Sequence, residues 1–412
     1  MISGKANCGL QYAVKRSGSA VGYCSLGINC GTRSENGFHS GIAHFTEHTL
    51  FKGTSHKKAS VISSYLDKLG GELNAYTTKE EIVLHATVLK EDLYKASSLL
   101  MEIATSATFP DNEVETERGV VIDEIKSYKD SPADDVYDRF EEMLFKRHPL
   151  SMPILGTVKS VKEITSDELR RFMKEKFVPT AIAFTVVADI DEKKMEASIL
   201  KLCSKFFGDS SNGNVCDNIE KPTPIVLNNV FNETIMKKNH EANAVIGGFA
   251  PSLYEEDERI ATILMSNIIG GPAMNSILNK TLREKNGWVY GVESSYTQYA
   301  DTGILAISLG CERENIDRCM AAIQKEILKL QNFELTETRL KAAKKQLLGQ
   351  LAISSDNGEA QCLSMCKSLL SYGKISTAAE TRRQIEAVSA AQIREMACKI
   401  FAPKLTSSLI ML

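Results

Sequence analysis

The sequence predicts an α+β fold made of two structurally similar domains, each a mostly antiparallel sheet with helices packed on it. Strand-like and helix-like segments alternate in both halves of the 412-residue chain. A strand and two helices in EEIVLHATVLKEDLYKASSLLMEIATSA and NEVETERGVVIDEI are paralleled by DTGILAISLGCERENIDRCMAAIQKEILKL and ELTETRLKAAKKQL, which indicates an internal repeat. The polar, aperiodic stretch GDSSNGNVCDNIEKPTP is typical of a linker. We therefore expect a first domain at 1–207, a linker at 208–224 and a second domain at 225–412.

Local patterns assign the elements at the start of the first domain. LQYAV and VGYCSLGIN alternate as strands do and end at Gly31. A helix over IAHFTEHTLF is expected to follow, with Ser40 as its N-cap and Gly53 after its end. SVISSYLDKL is amphipathic with helical period and stops at Gly70 and Gly71. ELNAYTTKEEIVLHATVL then predicts two adjoining strands.

The rest of the first domain is predicted to be mainly helical. The spacing of apolar residues favours a helix over 90–107. Pro110 and Asp111, followed by acidic residues, mark the start of a second long helix that extends through Ile125. The remaining predictions are helix as far as Lys146, helix at 167–176, a buried strand at 181–188 and helix at 193–207.

Composition excludes some classes of protein. The 49 Lys and Arg nearly balance the 52 Asp and Glu, which argues against nucleic-acid binding by bulk electrostatics. There is no apolar run typical of a signal peptide or a membrane-spanning helix, so no membrane association is expected. The ten cysteines include no CxxC pair and are interpreted as small apolar fillers in a reducing compartment, with a cytoplasmic location as the expectation.

The string HFTEH carries the chemistry of the first predicted helix. Helical spacing of four residues places His44 and His48 on one face, where both imidazoles can reach one ion. Glu47 borders that face and can act as the base that takes a proton from a metal-activated water. The alternative is that the two histidines meet by chance on the surface or in the core. Five further histidines fit no ligand spacing and are interpreted as structural: His39, His56, His85, His148 and His240.

HFTEHTLFKGT resembles the signature of the inverzincin family of zinc peptidases, which includes pitrilysin, insulin-degrading enzyme and the mitochondrial processing peptidases. In that family the third ligand is a Glu some 76 residues beyond the second His, with another Glu seven residues before it. Glu124 and Glu117 stand at those positions. The resemblance thus implies one Zn²⁺ per chain held by His44, His48 and Glu124, with Glu117 orienting a ligand histidine. Without the resemblance, both carboxylates would be interpreted as solvated charges on a helix.

Two further segments extend the resemblance along the chain. GGELNAYT is similar to the family's edge strand beside the metal, which implies that Asn74, Ala75 and Tyr76 hold an extended peptide by strand addition. Otherwise it is an ordinary hairpin strand. In LREKNGWVYGVESSY, Arg283 and Tyr290 are spaced like the family's Arg/Tyr pair, which implies contact with the substrate carbonyl or developing oxyanion. Alternatively they are a surface arginine and an interface tyrosine.

The resemblance implies a zinc-dependent endopeptidase or oligopeptidase of bacterial cytoplasmic type. Its first domain would be catalytic, and the second an inactive repeat carrying the Arg/Tyr pair. Because larger family members contain four such domains, we expect a homodimer that encloses a clamshell chamber for peptides. Two other hypotheses stay open at this point. One is a catalytically silent partner subunit, and the other is a metal-binding regulatory or scaffolding protein.

Overall fold

The computed structural model describes residues 1–208, 222, 224–225, 229–237 and 240–412. These residues form two compact units. The first unit contains 1–126, 152–208 and 353–375. The second unit contains 127–151, the described residues from 222 to 352, and 376–412.

The first unit is built on a six-stranded sheet. Its strands are β1 (Ile2–Lys5), β2 (Gln11–Arg16), β3 (Val21–Ile28), β4 (Glu72–Thr77), β5 (Ile82–Leu89) and β6 (Ile182–Ala188). Its helices are α1 (Ile42–Leu50), α2 (Ala59–Asp67), α3 (Leu93–Ser106), most of α4 (Asp111–Asp130), α6 (Val158–Glu163), α7 (Ser166–Lys176), α8 (Glu192–Phe207) and α12 (Gly358–Tyr372). The strand order is β1-β2-β6-β3-β5-β4, and only β2 and β6 pair in parallel. Strand β4 therefore forms one edge.

The second unit is built on a five-stranded sheet. Its strands are β7 (Asn232–Ile235), β8 (Glu241–Ala250), β9 (Val289–Gln298), β10 (Gly303–Glu312) and β11 (Ser407–Met411). Its helices are α5 (Pro132–Leu144), α9 (Glu256–Gly270), a π-helix at Asn279–Glu284, α10 (Ile316–Asn332), most of α11 (Glu337–Asp356), α13 (Ala378–Ala387) and α14 (Ala390–Ile400). The strand order is β7-β11-β8-β10-β9, with β7 and β11 parallel.

The predicted α+β class and internal repeat are confirmed. The sheets share the order β6-β3-β5-β4 in the first unit and β11-β8-β10-β9 in the second, and each has a parallel neighbour at β6 or β11. After the hairpin β4–β5 come α3 and α4, and after β9–β10 come α10 and α11. Both α4 and α11 are 20 residues long, so the repeat that is visible as a sequence parallel is one supersecondary plan used twice.

The units do not follow the predicted cut between 1–207 and 225–412. Helix α5, from the first half, packs against β8 and β11, where Phe140 and Leu144 are buried with Val245 and Leu409. Helix α12, from the second half, packs against β6 and β3. An amphipathic helix buries its apolar face on any uncovered sheet face that the chain can reach. The predicted domain boundary at the linker therefore assigns α5 and α12 to the wrong units.

Other predictions need smaller adjustments. Most of the predicted linker 208–224 lies outside the described residues. Strand β1 was not predicted, and α8 begins one residue before its predicted start. Eight of the nine described cysteines are buried, as expected of apolar fillers, whereas Cys398 is exposed and Cys216 is outside the described part. No helix among the described residues combines the length and apolar character needed to cross a membrane.

Candidate metal centre

Helix α1, which carries the HFTEH string, is anchored at its N-terminus by a carboxylate. The backbone N–H groups of Gly41 and Ala43 donate to the two oxygens of Glu35 at 2.9 and 3.0 Å. Gly41 is the N-cap residue, with φ at 89°, and the predicted cap Ser40 makes no side-chain bond to the helix. The prediction of Ser40 was wrong because the carboxylate of Glu35 already satisfies the free N–H groups.

The two histidines of α1 and Glu124 of α4 come together. Their ligand atoms all lie within 4.8 Å of one another, and they are the one such group of three or more that the described residues contain. Glu124 Oε2 is 3.4 Å from His48 Nε2 and 3.7 Å from His44 Nε2. Ligands about 2.0–2.1 Å from a tetrahedral zinc ion would be roughly 3.3 Å apart, so the spacing fits a shared ion.

Two polar atoms of this group have no partner in the described part of the chain. Glu124 Oε2 and His44 Nδ1 are buried and make no hydrogen bond to any described residue. The separations from Glu124 to the imidazoles exceed ordinary hydrogen-bond length. Burial, with a smaller contribution from His48, lowers the pKa of His44 to about 3, so this imidazole is neutral and keeps a lone pair. A cation would relieve the cost of burying an unpaired carboxylate oxygen.

Glu117 is not a member of the ligand group but contacts one of its histidines. Its Oε1 accepts from His48 Nδ1 at 2.9 Å, which leaves His48 Nε2 with the lone pair facing Glu124. Its Oε2 forms an ion pair with Lys52 Nζ at 2.6 Å. Burial alone would raise the pKa of Glu117, but the hydrogen bonds from Lys52 and His48 outweigh it and hold the pKa below its ordinary value.

Glu47 is half-buried beside the ligand group and points toward the edge strand. Thr77, the last residue of β4, donates its hydroxyl to Glu47 Oε2 at 2.7 Å. Burial raises the pKa of Glu47, while Thr77 and His48 oppose the shift. The carboxylate is therefore held in one orientation and made more basic, as a proton acceptor at neutral pH requires.

The strand with the predicted peptide contacts is an edge of the described sheet. Among the described residues, strand β4 pairs with β5 on one side only, and Asn74 lies opposite His85 in that ladder. Asn74 is exposed, and Ala75 and Tyr76 are partly buried. The outer N–H and C=O groups of β4 are thus available for strand addition next to Glu47.

Arg283 and Tyr290 both belong to the second unit. Arg283 is exposed near the end of the π-helix. Tyr290 is the extra residue of a β-bulge, because Val289 pairs with Cys311 while Gly291 pairs with Gly310. The side chain of Tyr290 is exposed, and its hydroxyl donates to Glu312. This hydrogen bond raises the pKa of Tyr290 to about 12, so the phenol stays protonated and able to donate.

Three of the histidines that were predicted to be structural contact residues outside the ligand group. His39 pairs with Glu163 and Glu168, at 3.3 and 2.9 Å. His85 pairs with Glu359 at 3.0 Å. His148 Nδ1 accepts from the backbone N–H of Leu150.

Three residues of the site were missed by the sequence reasoning: Glu35, Lys52 and Thr77. Lys52 lies inside the string that carried the resemblance, and Thr77 ends the predicted edge strand, so each stood in a segment already singled out. Glu35 is followed by a short loop whose course no periodicity predicts. A carboxylate six residues before a glycine and a helix start is a weak signal on its own.

Comparison with known proteins places this site in a family. The family model for Insulinase (Peptidase family M16) matches residues 12–158, and the model for the Peptidase M16 inactive domain matches residues 163–347. The chain is 30% identical to the uncharacterized zinc protease YmxG of Bacillus subtilis over 93% of this chain and 91% of that protein. It is 29% identical to the uncharacterized zinc protease SCO5738 of Streptomyces coelicolor, over 92% of this chain and 82% of that protein.

Solved structures share the fold. A protease from Helicobacter pylori matches with a TM-score of 0.88 at 20% identity, covering 100% of this chain and 98% of the other. A peptidase M16 inactive domain from Pseudomonas fluorescens matches with a TM-score of 0.86 at 19% identity, covering 100% and 97%. With the HFTEH helix and Glu124 in the region matched by the insulinase model, and relatives of 30% identity over nearly the full length, the chain belongs to peptidase family M16 of zinc proteases.

Proposed function

We propose that this chain is a zinc-dependent endopeptidase or oligopeptidase that hydrolyses peptides or unfolded segments. The observation that carries the proposal is the placement of Glu47. Its carboxylate lies beside the His44, His48 and Glu124 group and is oriented by Thr77 of the open edge strand. The three proposed ligands, the proposed base and the edge strand therefore lie next to one another in the first unit, which supports the proposal.

The residues divide the chemistry among them. His44, His48 and Glu124 would hold one zinc ion per chain, which when bound polarises a water molecule and lowers its pKa. Glu47 takes the proton as the water oxygen attacks the peptide carbonyl, and returns it to the leaving amine as the C–N bond breaks. Glu117 keeps His48 in the tautomer whose Nε2 faces Glu124.

Substrate would be held as an added strand along β4. Main-chain hydrogen bonds to Asn74, Ala75 and Tyr76 would supply affinity without demanding a particular side chain. The hydroxyl of the exposed Tyr290 would turn from Glu312 and donate to the carbonyl oxygen that gains charge, with Arg283 also contacting the substrate. A substrate must be extended to pair in this way, which favours peptides and unfolded segments over folded proteins.

The test compares wild-type protein, Glu47→Gln and chelator-treated protein on a mixture of internally quenched peptides about 15 to 25 residues long. Wild-type turnover is expected, with at least a hundredfold loss in Glu47→Gln while zinc stays stoichiometric by elemental analysis. Chelation should abolish turnover, and zinc should restore it. Zinc binding without cleavage by the wild type would instead support a silent partner subunit or a metal-binding scaffold.

We also propose a homodimer in which each site is completed by the second copy. The support is that Tyr290 lies in a different unit from the proposed metal ligands, and that this chain has two units where the resemblance to larger family members implies four. Mixing inactive Glu47→Gln with inactive Tyr290→Phe would then create one intact site per mixed dimer and restore about a quarter of wild-type activity. A stable monomer with full activity, or mixtures without recovery, would contradict the arrangement.

The eight buried cysteines are consistent with a reducing compartment, so a cytoplasmic location is part of the same proposal.

A further inference from the structure

Helix α12 enters the metal-binding unit from the far end of the chain and is fixed there by polar and close-packed contacts. Thr185 Oγ1, on β6, donates to the Cys362 carbonyl at 2.9 Å, and Ser25 Oγ of β3 lies 2.7 Å from Thr185 Oγ1. A Cβ atom at Gly27 would lie 2.7 Å from the Cys366 sulfur, so only glycine allows this approach. The helix therefore has a defined position on the sheet.

From that position α12 presents charged side chains to the hairpin β4–β5. The carboxylate of Glu359, in its first turn, lies 3.0 Å from His85 Nδ1, with the two side chains 38% and 15% exposed. A weaker contact lies at one end of the hairpin, where Lys367 Nζ is 4.0 Å from Oε1 of the buried Glu81. The contact to His85 is the shorter of the two and lies within hydrogen-bond distance.

His85 connects this contact to the edge strand. It lies opposite Asn74 in the antiparallel ladder, and its ring centroid is 6.3 Å from that of Tyr76 at an interplanar angle of 58°. Side chains on a strand alternate between faces, so Asn74 and Tyr76 lie on the face opposite to Thr77, which contacts Glu47. The metal centre and the α12 contact thus support the same edge strand from opposite faces.

We propose that Glu359 is a positioning residue for the peptide-binding edge. By holding the ring of His85 in one orientation, it supports Tyr76 and keeps β4 in the geometry that an added strand requires. This inference rests on the proposed function, because it concerns the strand to which peptide substrate would pair. It assigns a role in substrate binding to the C-terminal half through a residue that touches neither metal ligand nor base.

The experiment measures peptide affinity without turnover. Zinc-loaded Glu47→Gln protein and the same protein with Glu359→Ala are titrated with a fluorescent extended peptide, and zinc content is measured in each. The dissociation constant is expected to rise about fivefold with zinc content unchanged, the scale of one indirect polar contact. Glu359→Gln retains an acceptor for His85 and should stay within about twofold. Ser364→Ala, at an exposed position on the same helix, is the matched control and should leave affinity unchanged.

A double-mutant cycle with His85→Ala isolates the coupling. If Glu359 acts through His85, the combined variant should bind peptide no more weakly than His85→Ala alone. In protein that retains Glu47, Glu359→Ala should raise KM while leaving kcat nearly constant. This inference alone would be overturned if Glu359→Ala left measurable peptide binding unaltered. It would also be overturned by additive effects in the cycle, or by loss of zinc from the Glu359→Ala protein. A Glu47→Gln protein that binds no peptide at all, together with a wild type that cleaves none, would overturn the proposed function.

Discussion

Glu124 and Gln350 hold the same position within corresponding helices of the two repeats and meet different partners. Each is the fourteenth residue of a 20-residue helix, α4 in the first repeat and α11 in the second. Glu124 Oε2 is buried without a hydrogen-bond partner among the described residues, 3.4 Å from His48 Nε2 on α1. Gln350 Oε1 accepts a hydrogen bond from Asn267 Nδ2 on α9 at 2.8 Å.

The difference shows how one scaffold supports two outcomes. A neutral amide pair satisfies itself, so the second repeat needs nothing more at this helix contact. Two imidazoles and a carboxylate held just beyond hydrogen-bond distance leave a buried oxygen without a partner. Such an arrangement is costly unless a cation completes it. The unsatisfied contact is therefore where a bound cation would be stabilising, and the satisfied contact has no such requirement.

The largest effect is expected from Glu124→Gln, which puts into the first repeat the amide side chain found at the same helix position in the second. Glu124→Gln removes the anionic ligand, so zinc affinity should fall by more than about a hundredfold, measured by competition with a chromophoric chelator. The zinc-free variant should be at least as stable to heat as zinc-free wild type, because it no longer buries an unpaired carboxylate. Asp123→Asn changes an exposed neighbour and serves as control. Tight stoichiometric zinc in Glu124→Gln would refute the ligand assignment.

An intermediate effect is expected from Lys52→Met, which removes the ion pair that holds Glu117 against His48. Zinc affinity should fall about tenfold. The folded-state pKa of Glu117 lies below its ordinary value of 4.5. Its hydrogen bond to His48 is therefore present above that value and is lost as pH falls through the lowered pKa. Without Lys52 that pKa rises, so zinc release on acidification should begin at higher pH.

The control for this variant is Lys57→Met, which breaks a comparable ion pair with Glu102. It should reduce thermal stability without changing the pH at which zinc is released. Identical release curves for wild type and Lys52→Met would show that Lys52 does not support the ligand group.

The smallest effect is expected from Asn267→Ala in the second repeat. This change leaves Gln350 without its partner and should lower the free energy of unfolding by about 1 kcal/mol. Denaturant titration measures the loss, and zinc affinity should not change. A loss of zinc from this variant would break the comparison, because it would mean that the amide contact also supports the metal centre.

Sequence alone could predict those parts of the molecule that local spacing determines. The helical spacing of His44 and His48, and the adjoining strands that carry Asn74 to Tyr76, follow from periodicity within a few residues. Glu124 could be found only through the family resemblance, because nothing local distinguishes it from the other acidic residues of α4. Its burial arises from contact with α1, which local spacing does not describe.

Tertiary contacts account for what the sequence reasoning missed. Glu35 replaces Ser40 at the start of α1 because a loop returns its carboxylate to the helix. The bulge that exposes Tyr290 depends on pairing with β10, not on the residues around it. The exchange of α5 and α12 depends on which face of each sheet the other helices leave uncovered. None of these features has a local signal.

The exchange of α12 has a consequence during protein synthesis. One face of the first unit's sheet, including Ala13, Ala183 and Val187, is covered by Cys362 and Leu369 of that helix. While the ribosome is still translating the second half, the N-terminal sheet has been made but this apolar face has no cover. The metal-binding unit can be completed only after residue 372 has emerged, so the nascent chain passes through a long interval in which it is open to aggregation or chaperone binding.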